Sequence, residues 1–264
     1  MPPSSLQEAA RQHTPVPVGL RWDTWRAWVL ANLAAEALGL GATLLIGVLF
    51  LGAAESQFGI VPVALLAVIL GAVCEGGIVG SLQWLVLRRP APSIRWRAWV
   101  MATALGAGVA WALAMALVVV MSFMTMTAQS ETNSTSQGFA MAEPVVLLLA
   151  ALMGIALGAV LGTGQWTVLR KHVPRAGWWI PANAAAWAVG MALVFAGTSF
   201  IPDSGAVTPG IIIALVFFVA LAGIAVGAIH GLALIALLRE RDRALLISDA
   251  HARSAVSYDR SSAI

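Results

Sequence analysis

Six runs of the sequence, about 28–51, 61–87, 99–124, 144–169, 178–200 and 209–238, are almost continuously apolar. Each reaches the roughly 20 residues that a helix needs to cross a hydrocarbon core of about 30 Å. Apolar and polar positions do not alternate within them, as they would in the strands of a membrane barrel. Backbone inside lipid must satisfy its own hydrogen bonds, so helices are the reading that remains. The pattern predicts an all-α fold, a six-helix transmembrane bundle. Polar residues collect between the runs and in two tails, 1–21 and 244–264, which read as mobile.

The charges between the runs predict orientation. Arg11, Arg21 and Arg26 precede the first run, and Arg88, Arg89, Arg95 and Arg97 fill the second loop. Arg170, Lys171 and Arg175 fill the fourth loop, and Arg239, Arg241, Arg243, Arg253 and Arg260 follow the last run. The other loops carry Glu55, Glu131, Glu143 and Asp203 instead. Cytoplasmic loops are enriched in Lys and Arg, so both termini are expected in the cytoplasm. The N-terminal stretch has early prolines and no apolar core, so the first run is expected to be an uncleaved anchor. Fourteen Arg against one Lys points to a GC-rich bacterial genome and hence to a bacterial inner membrane.

Composition removes several classes. The chain is 60% hydrophobic and 10% charged, with a mean hydropathy of +0.88. Soluble domains carry about 25% charged residues, so a water-soluble fold is excluded. The pI of about 10.0 comes from loop and tail arginines and reports topology, so no nucleic-acid partner is expected. The expected partners are the lipid bilayer and either other membrane proteins or further copies of the chain. Cys74 is the single cysteine, which excludes an internal disulfide and a cysteine-based zinc site. No His-Glu-x-x-His, Gly-x-Ser-x-Gly or phosphate-cradling loop appears. No enzyme activity and no metal are expected, and the sequence requires no cofactor. Asn133-Ser134-Thr135 matches a glycosylation triplet in a polar loop.

An internal repeat is visible. Aligning Arg88, Arg170 and Arg239 superposes Gly80, Gly162 and Gly231, then Gly76, Gly158 and Gly227, then Ala72, Gly154 and Gly223. The odd-numbered runs align through Trp28, Trp99 and Trp179, followed four residues later by Asn32, Thr103 and Asn183. Three tandem two-helix hairpins are expected, 22–92, 93–173 and 174–243. They start and end on one side, which makes them parallel repeats about the membrane normal. A pseudo-threefold ring is the natural closure. The third unit diverges, with Leu234 and Ile235 where Gln83-Trp84 and Gln165-Trp166 stand.

The small residues recur every four positions and lie on one helix face, where glycine admits a close helix neighbour. They are read as packing seams. The alternative is a groove for a flat ligand such as a carotenoid, chlorin or quinone. Nine tryptophans, Trp28, Trp99 and Trp179 among them, read as an aromatic belt at the arginine-bearing interface; only Trp111 and Trp187 lie deeper. Asn32, Gln83, Thr103, Gln165 and Asn183 read as polar clasps within each hairpin.

Three ionisable residues stand apart. Glu75 lies about 20 Å from the arginine end, Glu36 about 12 Å and His230 about 13.5 Å, at 1.5 Å per residue. Ionisable groups at such depth mark ion or proton pathways and ligand contacts. If the ring closes, the first and sixth helices become neighbours and a Glu36–His230 pair is expected, with Glu75 deeper. The bland alternative is that each bonds separately to backbone carbonyls. His230 also keeps a single axial ligand for a chlorophyll open.

The run G-x-x-x-G-x-x-Q-W-x-V-L-R, at 76–88 and 158–170, resembles a pattern in small polytopic bacterial membrane proteins with repeated helical hairpins. That resemblance implies the fold and no activity. The expected function is movement of a small solute, ion or proton across the membrane. The alternative is a non-catalytic structural or accessory subunit binding a pigment, quinone or lipid.

Overall fold

The computed structural model describes residues 18–131, 142–201 and 208–262, with side chains for 22–43, 59–124, 142–201, 208–248, 250 and 251. The glycosylation triplet and the first 17 residues lie outside them. Among the described residues the chain is helical and contains no strand.

Helix α1 spans Val18–Phe58, and Gly59 alone separates it from the next helix. Gly59 has φ 78°, a left-handed conformation that glycine adopts without a Cβ penalty. Helix α2 comprises Ile60–Leu70, a π-helical turn at Gly71–Glu75 and Gly76–Leu87. Helix α3 spans Trp96–Glu131 and α4 spans Glu143–Leu169, with Pro144 in its first turn. A 3₁₀ turn at Ala176–Trp178 leads into α5, Trp179–Thr198, and α6 spans Pro209–Ser262. Helix α6 therefore continues through a segment whose polarity reads as a tail.

Five stretches are long and apolar enough to cross a membrane: Ile60–Leu87, Trp96–Met124, Glu143–Leu169, Ala176–Thr198 and Pro209–Ser248. They are compatible with a multi-pass integral membrane protein. Helix α1 has 41 residues, and its side chains beyond Thr43 lie outside the described ones.

Each helix packs on its chain neighbours, and α6 also packs on α1, so the neighbours form a closed circuit. The three glycine stripes lie at alternate contacts of that circuit. A methyl group on Gly76 would lie 2.7 Å from Ala104 Cα, and one on Gly80 would lie 3.0 Å from Val100 Cα, both on α3. One on Gly158 would lie 2.6 Å from the Asn183 carbonyl oxygen, and one on Gly162 2.8 Å from Asn183 Cβ, on α5. One on Gly154 would overlap the Trp187 carbonyl. On α6, Gly223 and Gly227 face Leu33 and Val29 of α1 at 2.9 Å, and Gly231 faces Trp25 at 2.6 Å. Neighbouring helices cover all these glycines, so the stripes hold no open groove for a flat ligand.

The core is layered. At the arginine end Trp28, Trp99 and Trp179 are wholly buried with Leu87, Leu169 and Leu234. Trp179 meets Trp28 and Trp99 edge-on, with ring centroids 5.9 and 6.3 Å away, a favoured aromatic geometry. The expected interfacial belt is thus corrected for these three, which face the middle of the circuit. Trp22, Trp96 and Trp178 are exposed and keep belt positions. Ala107, Leu161, Ala186, Trp187 and Val226 form a second apolar cluster, and Leu40, Val194, Val219 and Ala222 a third.

Candidate functional site

Between the tryptophan layer and the second cluster lies a buried amide network. The Asn32 amide donates to the Trp28 carbonyl at 2.8 Å, and Gln83 donates to Asn32 Oδ1 at 2.9 Å. Gln165 donates to Gln83 Oε1 at 2.9 Å and to Thr103 Oγ1 at 3.2 Å. Trp179 Nε1 donates to Gln165 Oε1 at 2.8 Å. Thr103 and Asn183 donate back to the carbonyls of Trp99 and Trp179. All five of the polar clasp residues are at most 1% exposed. The bonds join helices well separated along the chain, because Gln165 of α4 reaches both Gln83 of α2 and Trp179 of α5.

The Gln-Trp-x-Val-Leu-Arg motif acquires a physical meaning. Gln83 and Gln165 point inward. The next residues, Trp84 and Trp166, turn about 100° round the helix and sit beneath Arg88 and Arg170, at 5.6 and 4.7 Å from guanidinium to ring centre. Trp84 also donates to the Ile94 carbonyl at 3.0 Å and ties down its loop.

Deeper lie the three ionisable groups. The π-helical turn Gly71–Glu75 ends at Glu75. Such turns occur often at functional sites. The Trp111 ring packs directly on Gly71, where any side chain would overlap it, and its Nε1 donates to Glu75 Oε2 at 2.8 Å. Glu75 also abuts α1: a methyl group on Gly39 would lie 3.0 Å from its Cα. Gly39 lies one turn beyond Glu36, so Glu36 and Glu75 belong to adjoining turns of the α1–α2 contact.

Glu36 is 1% exposed, and neither carboxyl oxygen has a hydrogen-bond partner among the described residues. His230 is equally buried, both ring nitrogens lack a partner, and its ring lies 5.3 Å from that of Trp179. The expected Glu36–His230 pair is therefore not formed as a hydrogen bond. The reason is azimuth. Gly223, Gly227 and Gly231 turn to α1, so His230, one position before Gly231, turns away toward α5. Backbone carbonyls do not engage either side chain. Trp187 Nε1 and Asn183 Oδ1 are also buried without a partner, as are Trp28 Nε1 and Trp99 Nε1 nearer the arginine end.

Buried polar atoms in proteins are nearly always paired, and exceptions call for internal water or a chemical role. A carboxyl with two open oxygens beside a second carboxyl can accept and release a proton. Among the described residues, no three of His, Cys, Asp and Glu are grouped to ligate one ion.

Two features of the site escape sequence reading, the π-helical turn and the pairing of Trp111 with Glu75. Depth arithmetic could have found the second. Trp111 lies about 18 Å past Trp99 and Glu75 about 20 Å before Arg88, at 1.5 Å per residue. Compared with known proteins, the chain matches no family model, no curated protein and no solved structure.

Proposed function

We propose that the protein moves protons, or a small ion, across a bacterial inner membrane through Glu75, Glu36 and His230. The observation that carries this reading is the open pair of Glu36 oxygens, buried one helical turn from the Gly39–Glu75 contact. Isolated polar groups in hydrocarbon are expensive to keep, and those retained mark proton and ion routes.

In this reading the chain is three tandem hairpins, 22–92, 93–173 and 174–243, about one membrane-normal axis, with both termini cytoplasmic. Equivalent bonds support the repeat. Arg88 and Arg170 donate their backbone N–H to Trp84 and Trp166, and Ala91 and Val173 donate to Leu87 and Leu169. The glycine stripes support it too, since each even helix packs on the first helix of the following hairpin. All loop arginines at one end support the orientation.

One observation favours a second reading, a non-catalytic accessory subunit. Trp28, Trp99 and Trp179 fill the circuit at its arginine end, as a non-conducting core would. Proteoliposomes with an enclosed pH dye and an imposed potential separate the two. Conduction predicts proton flux in wild type that Glu75→Gln and His230→Ala reduce. Wild-type vesicles no leakier than empty ones refute conduction and leave the subunit reading. Cysteine labelling at Ser254, in a Cys74→Ala background, tests orientation: reaction from outside intact cells would invert it.

A further inference from the structure

At the arginine end, α5 and α6 diverge around an open groove of about 650 Å³. Its floor is apolar, from Ala182 on α5 and Ala233 and Leu237 on α6. Its rim carries Arg175, Arg239 and Arg243, against Glu240. Three cations and one anion leave two positive charges in excess. Glu240 lies 4.0 Å from Arg175 and 3.3 Å from Arg243, whose side chains are 73% and 72% exposed. Glu240 is itself 37% exposed, so water can solvate it when a guanidinium turns to a second anion.

The rim is also shaped by its backbone. Arg175 holds φ 54° and ψ 24°, and among the described residues it is the single non-glycine with positive φ. Strain of that kind persists where the surrounding structure needs the side chain placed. Trp178, at the groove mouth, is 69% exposed and suited to headgroup depth. The other two loop arginines aligned with Arg239 are already engaged, Arg88 over Trp84 and Arg170 over Trp166. The third copy has Ile235 at the tryptophan position, and Ala236 where Leu85 and Thr167 stand. Arg239 thus has no stacking ring beneath it, and small residues open the space below.

We propose that this groove binds the headgroup of an anionic phospholipid. The phosphate sits among Arg175, Arg239 and Arg243, where guanidinium groups can each give it two parallel hydrogen bonds. The acyl chains run down the lipid-facing surface past Leu232 and Ile224, both more than 40% exposed. Basic pockets between membrane helices recognise anionic headgroups by this combination of charge and apolar wall. The apolar floor is what a free phosphate ion would not need.

Native mass spectrometry of the full chain in mild detergent, with added phosphatidylglycerol or phosphatidylcholine, tests the proposal. Phosphatidylglycerol should be retained about fivefold more, the gain given by roughly one arginine near a membrane surface. Millimolar inorganic phosphate should not displace it. The Arg239→Gln/Arg243→Gln variant should lose the preference, whereas Arg89→Gln/Arg97→Gln, altering exposed arginines outside the groove, should keep it. Equal retention of both lipids by wild type overturns the proposal without recourse to any variant. So does displacement by inorganic phosphate, or equal loss of preference in both double variants.

Discussion

Two layers of the same helix circuit, about 6 Å apart along the bilayer normal by the helical rise, treat buried polar groups in opposite ways. In the first, the side-chain amides of Asn32, Gln83 and Gln165 bond to one another, to Thr103 and to Trp179. In the second, Glu36 and His230 are as deeply buried and their side chains bond to nothing among the described residues. The first layer recurs along the sequence: Asn32, Thr103 and Asn183 align, as do Gln83 and Gln165. The second does not, since Ala107 and Trp187 align with Glu36, and Val79 and Leu161 with His230. Groups that close on each other can hold helices together, and their recurrence along the sequence fits that role. Groups left open contribute nothing to that cohesion, so their presence asks for a task, which we assign to proton movement.

The comparison can be broken at several points. The largest effect is expected from the seam that sets both layers. Gly154→Ala forces a methyl group into the Trp187 backbone and should cost at least about 1–3 kcal/mol, as overpacking does. Gly77→Ala, whose methyl would meet nothing within 4 Å, should leave the thermal midpoint unchanged. Similar midpoints for the two variants would mean the seam is not tight.

Next comes the amide layer. Gln165→Leu removes three hydrogen bonds, and at about 0.6 kcal/mol for each in a membrane the loss is about 2 kcal/mol. Glu36→Leu should have the opposite sign, because removing a buried unsatisfied group relieves a penalty of about 1–3 kcal/mol. If thermal denaturation shows both substitutions destabilising alike, the two layers are not different in kind. The smallest effect is expected from Leu234→Gln. It places a glutamine at the position aligned with Gln83 and Gln165; a bond from it to Asn183 Oδ1, which lacks a partner, should add at most about 0.6 kcal/mol. A lower midpoint would place that oxygen out of reach.

Depth was legible in the sequence and azimuth was not. The apolar runs located the five stretches long enough to cross a membrane, because crossing length is a one-dimensional property. Helix ends were less legible: α6 continues to Ser262 although hydropathy falls after about residue 238. Trp96 and Trp99 sit at similar depth, yet one is exposed and the other wholly buried. Only the direction each faces separates them. The same limit explains Glu36 and His230, which share a depth but point to different neighbours. The amide residues came through because alignment of the repeats marked them. Trp111 carried no repeat signal, and nothing in the sequence around Gly71 announced a π-helical turn.

Glu36→Gln gives the most direct test of the central claim that the open layer works rather than holds. It keeps the shape of a side chain that makes no hydrogen bond among the described residues and removes its exchangeable acid. Proton flux should be measured in proteoliposomes containing equal amounts of wild type and Glu36→Gln, with thermal midpoints taken from the same preparations. The account predicts a thermal midpoint no lower than that of wild type and flux reduced to near that of empty vesicles. Wild-type flux in the variant, or a midpoint that falls as far as that of Gln165→Leu, would contradict it.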